Sequence, residues 1–250
     1  MSKTPSKATA MTWSILVRDP ATGALGAAVA TRFFAVGALC IHVEGGVAAL
    51  ATQALINPMY AVHGMPRLRA GEAPEDVAGE LLVGDAGREH RQLHILDARG
   101  RIAQHTGAEC VSWCGSVRGA DVSVAGNLLA GPDVVAATLA AFQAASGDLA
   151  ERLLTALEAG EAEGGDRRGK QSAALKICTA DPYPDLDIRA DDHPDPLAEL
   201  RRLHRVSQQH FAVFRRFLPG AHSPCGVFDR VVIEAAVARD GKPIIGQPGS

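Results

Sequence analysis

The chain has 250 residues, 47% of them hydrophobic, and a formal net charge of −3. This length and composition are sufficient for one large hydrophobic core or two small ones. The slight negative charge and the aromatic content of only 4% argue against a nucleic-acid-binding protein, which needs basic patches and rings on which bases stack. No run of 18 apolar residues free of Gly and charge occurs, so the sequence predicts no membrane-spanning helix.

The cysteines and the first residues bear on the cellular compartment. The five cysteines are scattered and odd in number, which favours reduced thiols over a disulfide framework. Residues 1–10 are polar and lack the apolar stretch of a secretory signal, so we expect a cytoplasmic protein. We expect residues 1–11 to be a disordered leader or a misplaced start, residues 12–218 to form one domain, and residues 219–250 to be a C-terminal tail of uncertain structure.

Taken in chain order, blocks of β-prone residues alternate with pairs of helical segments. Strands are predicted at 13–18, 25–31, 38–43 and 47–52, then helices at 60–69 and 73–83, strands at 93–97, 101–105 and 121–125, helices at 132–145 and 149–159, strands at 171–178 and 186–189, and a helix at 197–217. Residues 227–238 fit either a strand or a helix. Hairpins followed by paired helices predict an α+β fold, specifically a four-layer αββα sandwich of two antiparallel sheets flanked by helices.

Thr12 stands at the head of the first predicted strand. A threonine hydroxyl is a weak nucleophile and needs a base beside it. If Thr12 were the first residue, its own α-amine, which titrates at roughly pH 7.7–8.0, could serve as that base. The alternative is that Thr12 is an ordinary strand residue.

Six stretches of the chain resemble a known family. They are TWSILVRDPATGALGAAVATRFFAVG, VAALATQALINPMY, GREHRQLHILDARGRIAQHTG, VAGNLLAGP, GGDRRGKQSAAL and RADDHPDPLAELRRL. Together, between Met11 and Leu203, they resemble the Ntn-hydrolase-like family called domain of unknown function 1028 (DUF1028). The resemblance implies an αββα fold akin to the proteasome β-subunit and to N-terminal amidohydrolases, and it implies no particular substrate.

The start of the chain differs from that family's pattern. Family members typically begin Met-Thr, so that loss of the methionine exposes the threonine. The corresponding pair here is Met11-Thr12, with ten residues before it. The resemblance therefore implies a nucleophilic Thr12 if the chain starts at Met11 or loses its leader, because a retained leader converts the amine into an amide that is no base.

Further catalytic candidates surround this terminal amine. The segment from Asp166 to Ser172 resembles the Asp…Ser element that supports the amine in proteasome-like enzymes, where a carboxylate orients it and a serine relays a proton. The negative oxygen of a tetrahedral intermediate needs hydrogen-bond donors, for which the candidates are the Asn127 side chain and backbone N–H groups at Thr52 and Gln53. An ordinary structural role is the alternative for each.

Substrate contacts are predicted at strand ends and turns. The candidates are Arg32, Thr52, Gln53, Asn57, His90, His105 and Arg167. An arginine binds a substrate carboxylate through two parallel hydrogen bonds, and a histidine exchanges protons near neutral pH. A solvated charged loop around Arg167 and structural histidines are the alternatives.

The acidic run at 191–195 directly precedes the predicted helix at 197–217, where acids and prolines suit the first turn. We therefore assign no metal and no cofactor. The leading interpretation is an amidohydrolase that cleaves an amide bond of a small nitrogenous or peptide-like substrate through Thr12, as a homodimer or larger homo-oligomer. The alternative is a non-catalytic protein of the same fold that binds a small molecule or serves in assembly.

Overall fold

The structure is a computed structural model and describes residues 12–166 and 168–242. The strands are β1 (Thr12–Arg18), β2 (Leu25–Thr31), β3 (Ile41–Glu44), β4 (Ala48–Ala54), β5 (Arg91–Asp97), β6 (Ile102–Thr106), β7 (Trp113–Gly119), β8 (Val122–Leu129), β9 (Ser172–Cys178) and β10 (Leu186–Ala190). The helices are α1 (Met59–Arg69), α2 (Pro74–Val83), α3 (Asp133–Ala144), α4 (Leu149–Ala162), α5 (Pro196–Ser207), α6 (Phe211–Phe214) and α7 (Arg230–Asp240).

The strands form two sheets. One has six strands in the order β10-β9-β2-β1-β8-β7, and the other has four in the order β3-β4-β5-β6. Every neighbouring pair runs antiparallel. The mixed α+β class and the two antiparallel sheets predicted from the sequence are therefore confirmed.

Each sheet packs helices against one face. In the six-stranded sheet, Trp13, Ile15 and Val17 of β1 share an apolar cluster with Leu153 of α4 and Leu197 of α5. In the four-stranded sheet, β4 and β5 pack against the helices α1 and α2. Complete burial of one such large side chain stabilises the fold by about 1.5–3 kcal/mol, so these two clusters hold the helices in position.

The opposite faces of the two sheets meet each other. The buried hydrophobic residues that pack together in this space form what we term the inner apolar cluster: Leu16, Ala27, Val29, Val36, Cys40, Ile41, Ala49, Ala51, Leu96, Ile102 and Ala174. Alternate residues of a strand point to opposite faces, so Trp13 and Ile15 face the helices while Thr12, Ser14 and Leu16 face the other sheet.

Helix starts follow the local sequence. Asp148 caps α4 by accepting a hydrogen bond from Glu151 N, and Asp195 caps α5 by accepting one from Ala198 N. Capping of this kind contributes about 1 kcal/mol. Of the acids and prolines before α5, Asp195 and Pro196 thus have the helix-start role that the sequence predicts.

The structure differs from the sequence prediction in two elements. Strand β7 was not predicted, because its glycines at 115 and 119 and a register shift between Trp113 and Gly115 hide its strand pattern. The single helix predicted at 197–217 is wrong. Helix α5 ends at Ser207, whose hydroxyl donates to the His204 carbonyl, and a short second helix follows.

Residues 227–238, which fitted either element, lie largely in the helix α7. Within the described residues, no helix has the length and apolar character needed to cross a membrane.

Candidate functional site

Four strands bring the main candidates to one edge of the six-stranded sheet. The register pairs Thr12 with Thr31 and with Asn127, and pairs Thr31 with Ser172. Because neighbouring strands are antiparallel, the start of β1 meets the end of β2 and the end of β8, and the end of β2 meets the start of β9. We call this edge the Thr12 edge.

Thr12 is the first residue that the structure describes, and the predicted leader at 1–11 lies outside the described residues. Its side chain is only 1% exposed, and its Oγ1 lies 3.1 Å from Thr31 Oγ1, to which it donates. The side chain lies on the face that meets the other sheet. The hydroxyl is therefore held by a hydrogen bond inside the protein.

Asp166 fastens the loop between α4 and β9 to the end of β2. Its carboxylate accepts hydrogen bonds from Arg32 N and Arg168 N, both at 2.8 Å, and forms an ion pair with the Arg168 guanidinium at 2.9 Å. The carboxylate is buried, so these charge-assisted bonds compensate for its loss of water. Asp166 thus fixes the backbone that follows Thr31. Its neighbour Arg167 lies outside the described residues.

Ser172 fixes the same turn from the other side. Its hydroxyl donates to the Phe33 carbonyl and accepts from Val36 N at 3.1 Å. Between these two residues, Ala35 has a φ of 51°, a left-handed conformation that costs a residue with a side chain about 1–2 kcal/mol. The bonds to Ser172 help to hold that strained turn next to the Thr12 edge.

Arg32 itself points away from the Thr12 side chain. It lines a cleft of about 560 Å³ together with Glu161, Lys170, Gln171, Asp192 and His193. Lys170 pairs there with Glu161 at 3.5 Å, and burial raises the pKa of the Glu161 carboxyl despite the nearby ammonium. Glu161 belongs to α4, so the cleft lies on the helix-covered side of the sheet.

Asn127 and Gln53 belong to a buried chain of hydrogen bonds between the two sheets. We call it the inner polar network, and its members are Ser14, Gln53, Gln92, His94, Gln104, Ser123 and Asn127. Asn127 Nδ2 donates to Gln92 Oε1 at 3.1 Å and approaches the Thr12 carbonyl at 3.4 Å. Gln53 Nε2 also donates to Gln92 Oε1, at 2.7 Å, and Ser14 Oγ donates to Gln53 Oε1 at 2.6 Å.

His94 links the rest of the network. Its Nε2 lies 2.8 Å from Ser14 Oγ, and its Nδ1 lies 2.8 Å from Ser123 Oγ. Burial lowers the pKa of His94 to about 3, so the ring is neutral near pH 7. Since the Ser14 hydroxyl proton goes to Gln53, the ring donates from Nε2 and accepts at Nδ1.

Two predicted contacts, Thr52 and Asn57, stabilise the entry into α1 instead. Thr52 Oγ1 accepts from Asn57 N at 3.2 Å, and Thr52 N donates to the Cys40 carbonyl at 2.9 Å. Asn57 Nδ2 donates to Asp85 at 2.9 Å. Burial acts to raise the pKa of Asp85, but bonds from Tyr60, Arg91 and Asn57 together hold it well below its usual range. These groups do not join Thr12.

The two candidate histidines also lie apart from the Thr12 edge. His90 is exposed, and His105 Nε2 lies 3.0 Å from the Arg88 carbonyl. His105 pairs with Leu93, whose side chain packs toward α1 and α2, so His105 lies on the outer face of the four-stranded sheet.

The comparison with known proteins decides the family. The model of the family of unknown function DUF1028 matches residues 12–200. A crystal structure of a DUF1028 protein from Silicibacter pomeroyi is similar to the chain with a TM-score of 0.81 and 33% sequence identity, over 88% of this chain and 100% of that one. The chain belongs to the DUF1028 family.

Other comparisons add less. Anbu (ancestral beta-subunit) from Yersinia bercovieri is similar with a TM-score of 0.37 and 13% identity, over 83% of this chain and 98% of that one. No curated protein matches the chain. The DUF1028 match contains every candidate site residue that the sequence predicts, and helices α6 and α7 follow it.

Sequence reasoning missed most of the inner polar network of this DUF1028 protein. The missed members are Ser14, Gln92, His94, Gln104 and Ser123. Their signal is one or two polar residues on the inner set of a strand that is otherwise apolar, as in TWSILV, RQLHIL and VSVA. Buried polar groups require partners, so such residues on several strands indicate that they bond to one another.

Proposed function

We propose that this DUF1028 protein is an N-terminal-nucleophile amidohydrolase, in which the Thr12 hydroxyl attacks an amide bond of a small nitrogenous or peptide-like substrate. One observation carries the proposal: Thr12 heads β1 at the edge where Thr31, Asn127 and Ser172 also lie, with Asp166 bonded to Arg32, the residue that follows β2. Acyl transfer by a terminal threonine needs a hydroxyl held rigidly at a strand head with polar groups beside it.

The reaction divides into two steps. Thr12 Oγ1 bonds to the amide carbon while its proton passes to the α-amine of the same residue, and the leaving amine takes up that proton as the carbon–nitrogen bond breaks. Water then attacks the acyl ester and gives a proton to the α-amine, which returns it to Thr12 Oγ1 as the bond between that oxygen and the acyl carbon breaks and the carboxylic acid leaves. This requires a chain whose first residue is Thr12.

In this proposal, Asp166 and Ser172 act as positioning residues. Asp166 binds the backbone N–H of Arg32, and Ser172 binds the backbone on both sides of Ala35. Both therefore hold the strand end that carries Thr31, the hydrogen-bond partner of Thr12. Each has its effect on the nucleophile through that backbone.

We extend the proposal to the fold and the setting of the protein. Three apolar clusters support a four-layer αββα sandwich. One lies between the two sheets, and each of the other two lies between a sheet and the helices that cover it. The five cysteines are unpaired, which supports a reducing compartment such as the cytoplasm. A homodimer or larger homo-oligomer remains part of the proposal, and a monomeric mass by light scattering would remove that part.

The experiment that tests the proposed function is intact-mass analysis followed by chemical trapping. Natively expressed protein is expected to have the mass of a chain that starts at Thr12. An electrophilic β-lactone is then expected to leave one acyl group on the Thr12-containing peptide. A chain that keeps residues before Thr12, or a trapped group on another residue, contradicts the proposal.

One observation favours the second candidate, a non-catalytic binding or assembly protein of the same fold. The Thr12 side chain is only 1% exposed and already hydrogen-bonded to Thr31. In that case the native chain retains the residues before Thr12, and the β-lactone leaves Thr12 unmodified.

A further inference from the structure

The carboxamide of Asn127 lies against the backbone of Thr12. Its neighbours determine which of its two ends is the oxygen and which is the nitrogen. Its Nδ2 approaches the Thr12 carbonyl, and its Oδ1 is buried without a hydrogen-bond partner among residues 12–166 and 168–242. A buried acceptor without a donor costs about 1–3 kcal/mol. A hydrogen-bond donor that reaches Asn127 Oδ1 next to the proposed nucleophile would remove this cost.

The hydrogen-bond partners of each amide determine which of its ends is nitrogen. Gln92 Nε2 contacts the carbonyls of Gly115 at 3.1 Å and Gly126 at 3.0 Å, and Thr106 Oγ1 at 2.9 Å. Carbonyl oxygens only accept, so this end of Gln92 must be its NH₂ group. Its other end, Oε1, is therefore an acceptor.

The orientation passes from Gln92 to Asn127. Gln53 Nε2 donates to Gln92 Oε1 and to the Ala125 carbonyl at 3.2 Å, which fixes Gln53 as well. Only the NH₂ group of Asn127 can then face Gln92 Oε1, because the opposite orientation would set two acceptors against each other. Asn127 consequently directs its NH₂ toward Gln92 and keeps its oxygen free for a donor.

We propose that Asn127 Oδ1 accepts a hydrogen bond from the α-ammonium group of Thr12, and that Gln92 is the positioning residue that fixes this polarity. The inference rests on the proposed function, since it requires Thr12 to be the first residue. It assigns Asn127 the role of acceptor for the amine that shuttles the proton. The sequence had suggested the opposite role, that of donor to the negative oxygen.

The inference predicts how the terminal amine titrates. An acceptor bonded to the ammonium form favours protonation, so loss of that acceptor lowers the pKa of the amine. Among the described residues, the charged side chains at this edge are Asp166 and its two neighbours Arg168 and Arg32, and all of them are retained in the variants below. A change in the amine pKa therefore reports on the carboxamide.

The test uses protein whose mass shows a chain starting at Thr12, with the amine titrated by NMR or by pH-dependent labelling. Asn127→Leu is expected to lower the amine pKa by about one unit, a tenfold change in proton affinity. Asn127→Asp, which keeps an acceptor and adds charge, is expected to raise it. Gln92→Met is expected to lower it by less, because the carboxamide is then free to turn.

Gln104→Met is the matched control, since Gln104 belongs to the same network but bonds to Ser123 and the Val117 carbonyl. It is expected to leave the amine pKa unchanged. If folded Asn127→Leu and Asn127→Asp both titrate like the wild type, the inference is wrong. A slower hydrolysis rate in Asn127→Leu with an unmoved amine pKa also overturns it, in favour of the donor role. Titration needs no substrate, so this result is independent of whether the protein proves to be a hydrolase.

Discussion

Two regions between the same two sheets are built on different physical principles. The inner apolar cluster, with Leu16, Val29 and Leu96, is stabilised by removal of apolar surface from water and by close packing. The inner polar network, with Gln53, Gln92 and His94, is equally buried but gains stability only when each donor meets an acceptor. The boundary between the two regions runs along β1 between Ser14 and Leu16.

Unlike the apolar cluster, the inner polar network has a direction, which leads toward Asn127 and Thr12. An all-apolar filling needs no particular direction, whereas hydrogen bonds have a donor and an acceptor, so the network transmits an orientation from residue to residue. That chain ends at Asn127 and Thr12. Two strained positions adjoin it: Ala54 and Leu128 have φ values of 67° and 57° and directly follow Gln53 and Asn127. Strain of this kind clusters at functional sites.

The largest expected effect is on activity at the end of the polar region. Thr12→Ala is expected to reduce amide hydrolysis by at least about 10³-fold while the protein stays folded, because the hydroxyl is the proposed nucleophile and contributes little to packing. The measurement is turnover of an amide panel, with circular dichroism to check the fold. Thr22→Ala, in an exposed turn where the hydroxyl bonds to Asp19, is the control and is expected to keep full activity. Equal turnover by Thr12→Ala and the wild type would show that the Thr12 hydroxyl is not the nucleophile, and that the inner polar network does not lead to a catalytic residue.

The next effect compares the stability of the two regions. Leu16→Ala in the apolar cluster is expected to lower the free energy of unfolding by about 2–5 kcal/mol through the cavity it leaves. Gln92→Met keeps the side-chain volume but removes one hydrogen-bond partner from each of Asn127, Gln53 and the carbonyls of Gly115 and Gly126, so we expect a loss of about 2–4 kcal/mol. Urea denaturation measures both. If Gln92→Met lowered the free energy of unfolding by less than about 1 kcal/mol, the hydrogen bonds of Gln92 would not be needed for the stability of the inner polar network.

The pH dependence of stability separates two buried histidines. Burial lowers the pKa of His94 to about 3, below the ordinary 6.5 of the unfolded chain, so the unfolded state binds more protons between these values. Its contribution is complete above about pH 6.5 and is lost as the pH falls toward 3, with a slope of at most about 1.4 kcal/mol per pH unit. His94→Gln is expected to flatten this acid-side loss in urea denaturation.

His204 provides the matched comparison with the opposite sign. Its ion pair with Asp148 at 3.6 Å, aided by Glu151 at 3.0 Å, raises the pKa of His204 above 6.5 in spite of burial. Its contribution is therefore complete below about pH 6.5 and is lost as the pH rises through the raised value. His204→Gln should flatten that loss on the alkaline side. If both variants changed the slope in the same direction, the two carboxylates beside His204 would not be the reason why its pKa shifts in the opposite direction from that of His94.

The smallest effect concerns the strained residue after Gln53. Glycine adopts the left-handed conformation without the cost of a side chain, so Ala54→Gly is expected to raise the free energy of unfolding by about 0.5–1 kcal/mol. Ala98→Gly, at a turn position with negative φ, is the control and is expected to lower it by a similar amount. Thermal or urea denaturation of both variants checks this pair. Destabilisation by Ala54→Gly would mean that its methyl group contributes more to packing than the backbone strain costs.

Prediction from the sequence succeeded where local patterns repeat. Strands such as Leu25–Thr31 and helices such as Leu149–Ala162 follow from runs of apolar residues, and the start of α5 follows from the acidic run that ends at Asp195. It failed at Trp113–Gly119, where a bulge and two glycines break the alternation, and at 208–210, where the predicted long helix is interrupted. For the candidate site, the sequence predicted Thr12, Asn127, Asp166 and Ser172, which the structure brings to one edge, and also Thr52, Asn57, His90 and His105, which lie elsewhere.

The sequence by itself determined the α+β class, the antiparallel pairing and the polar residues inside apolar strands, because side-chain alternation and turn chemistry act over a few neighbouring residues. Only the tertiary structure decided which of those polar residues meet. Ser14 contacts Gln53 and His94, which are 39 and 80 positions away, because two sheets face each other there. The direction of each amide depends on carbonyls from a third and fourth strand. A hydrogen bond depends on geometry in space, and a local sequence pattern does not show which distant residues will form one.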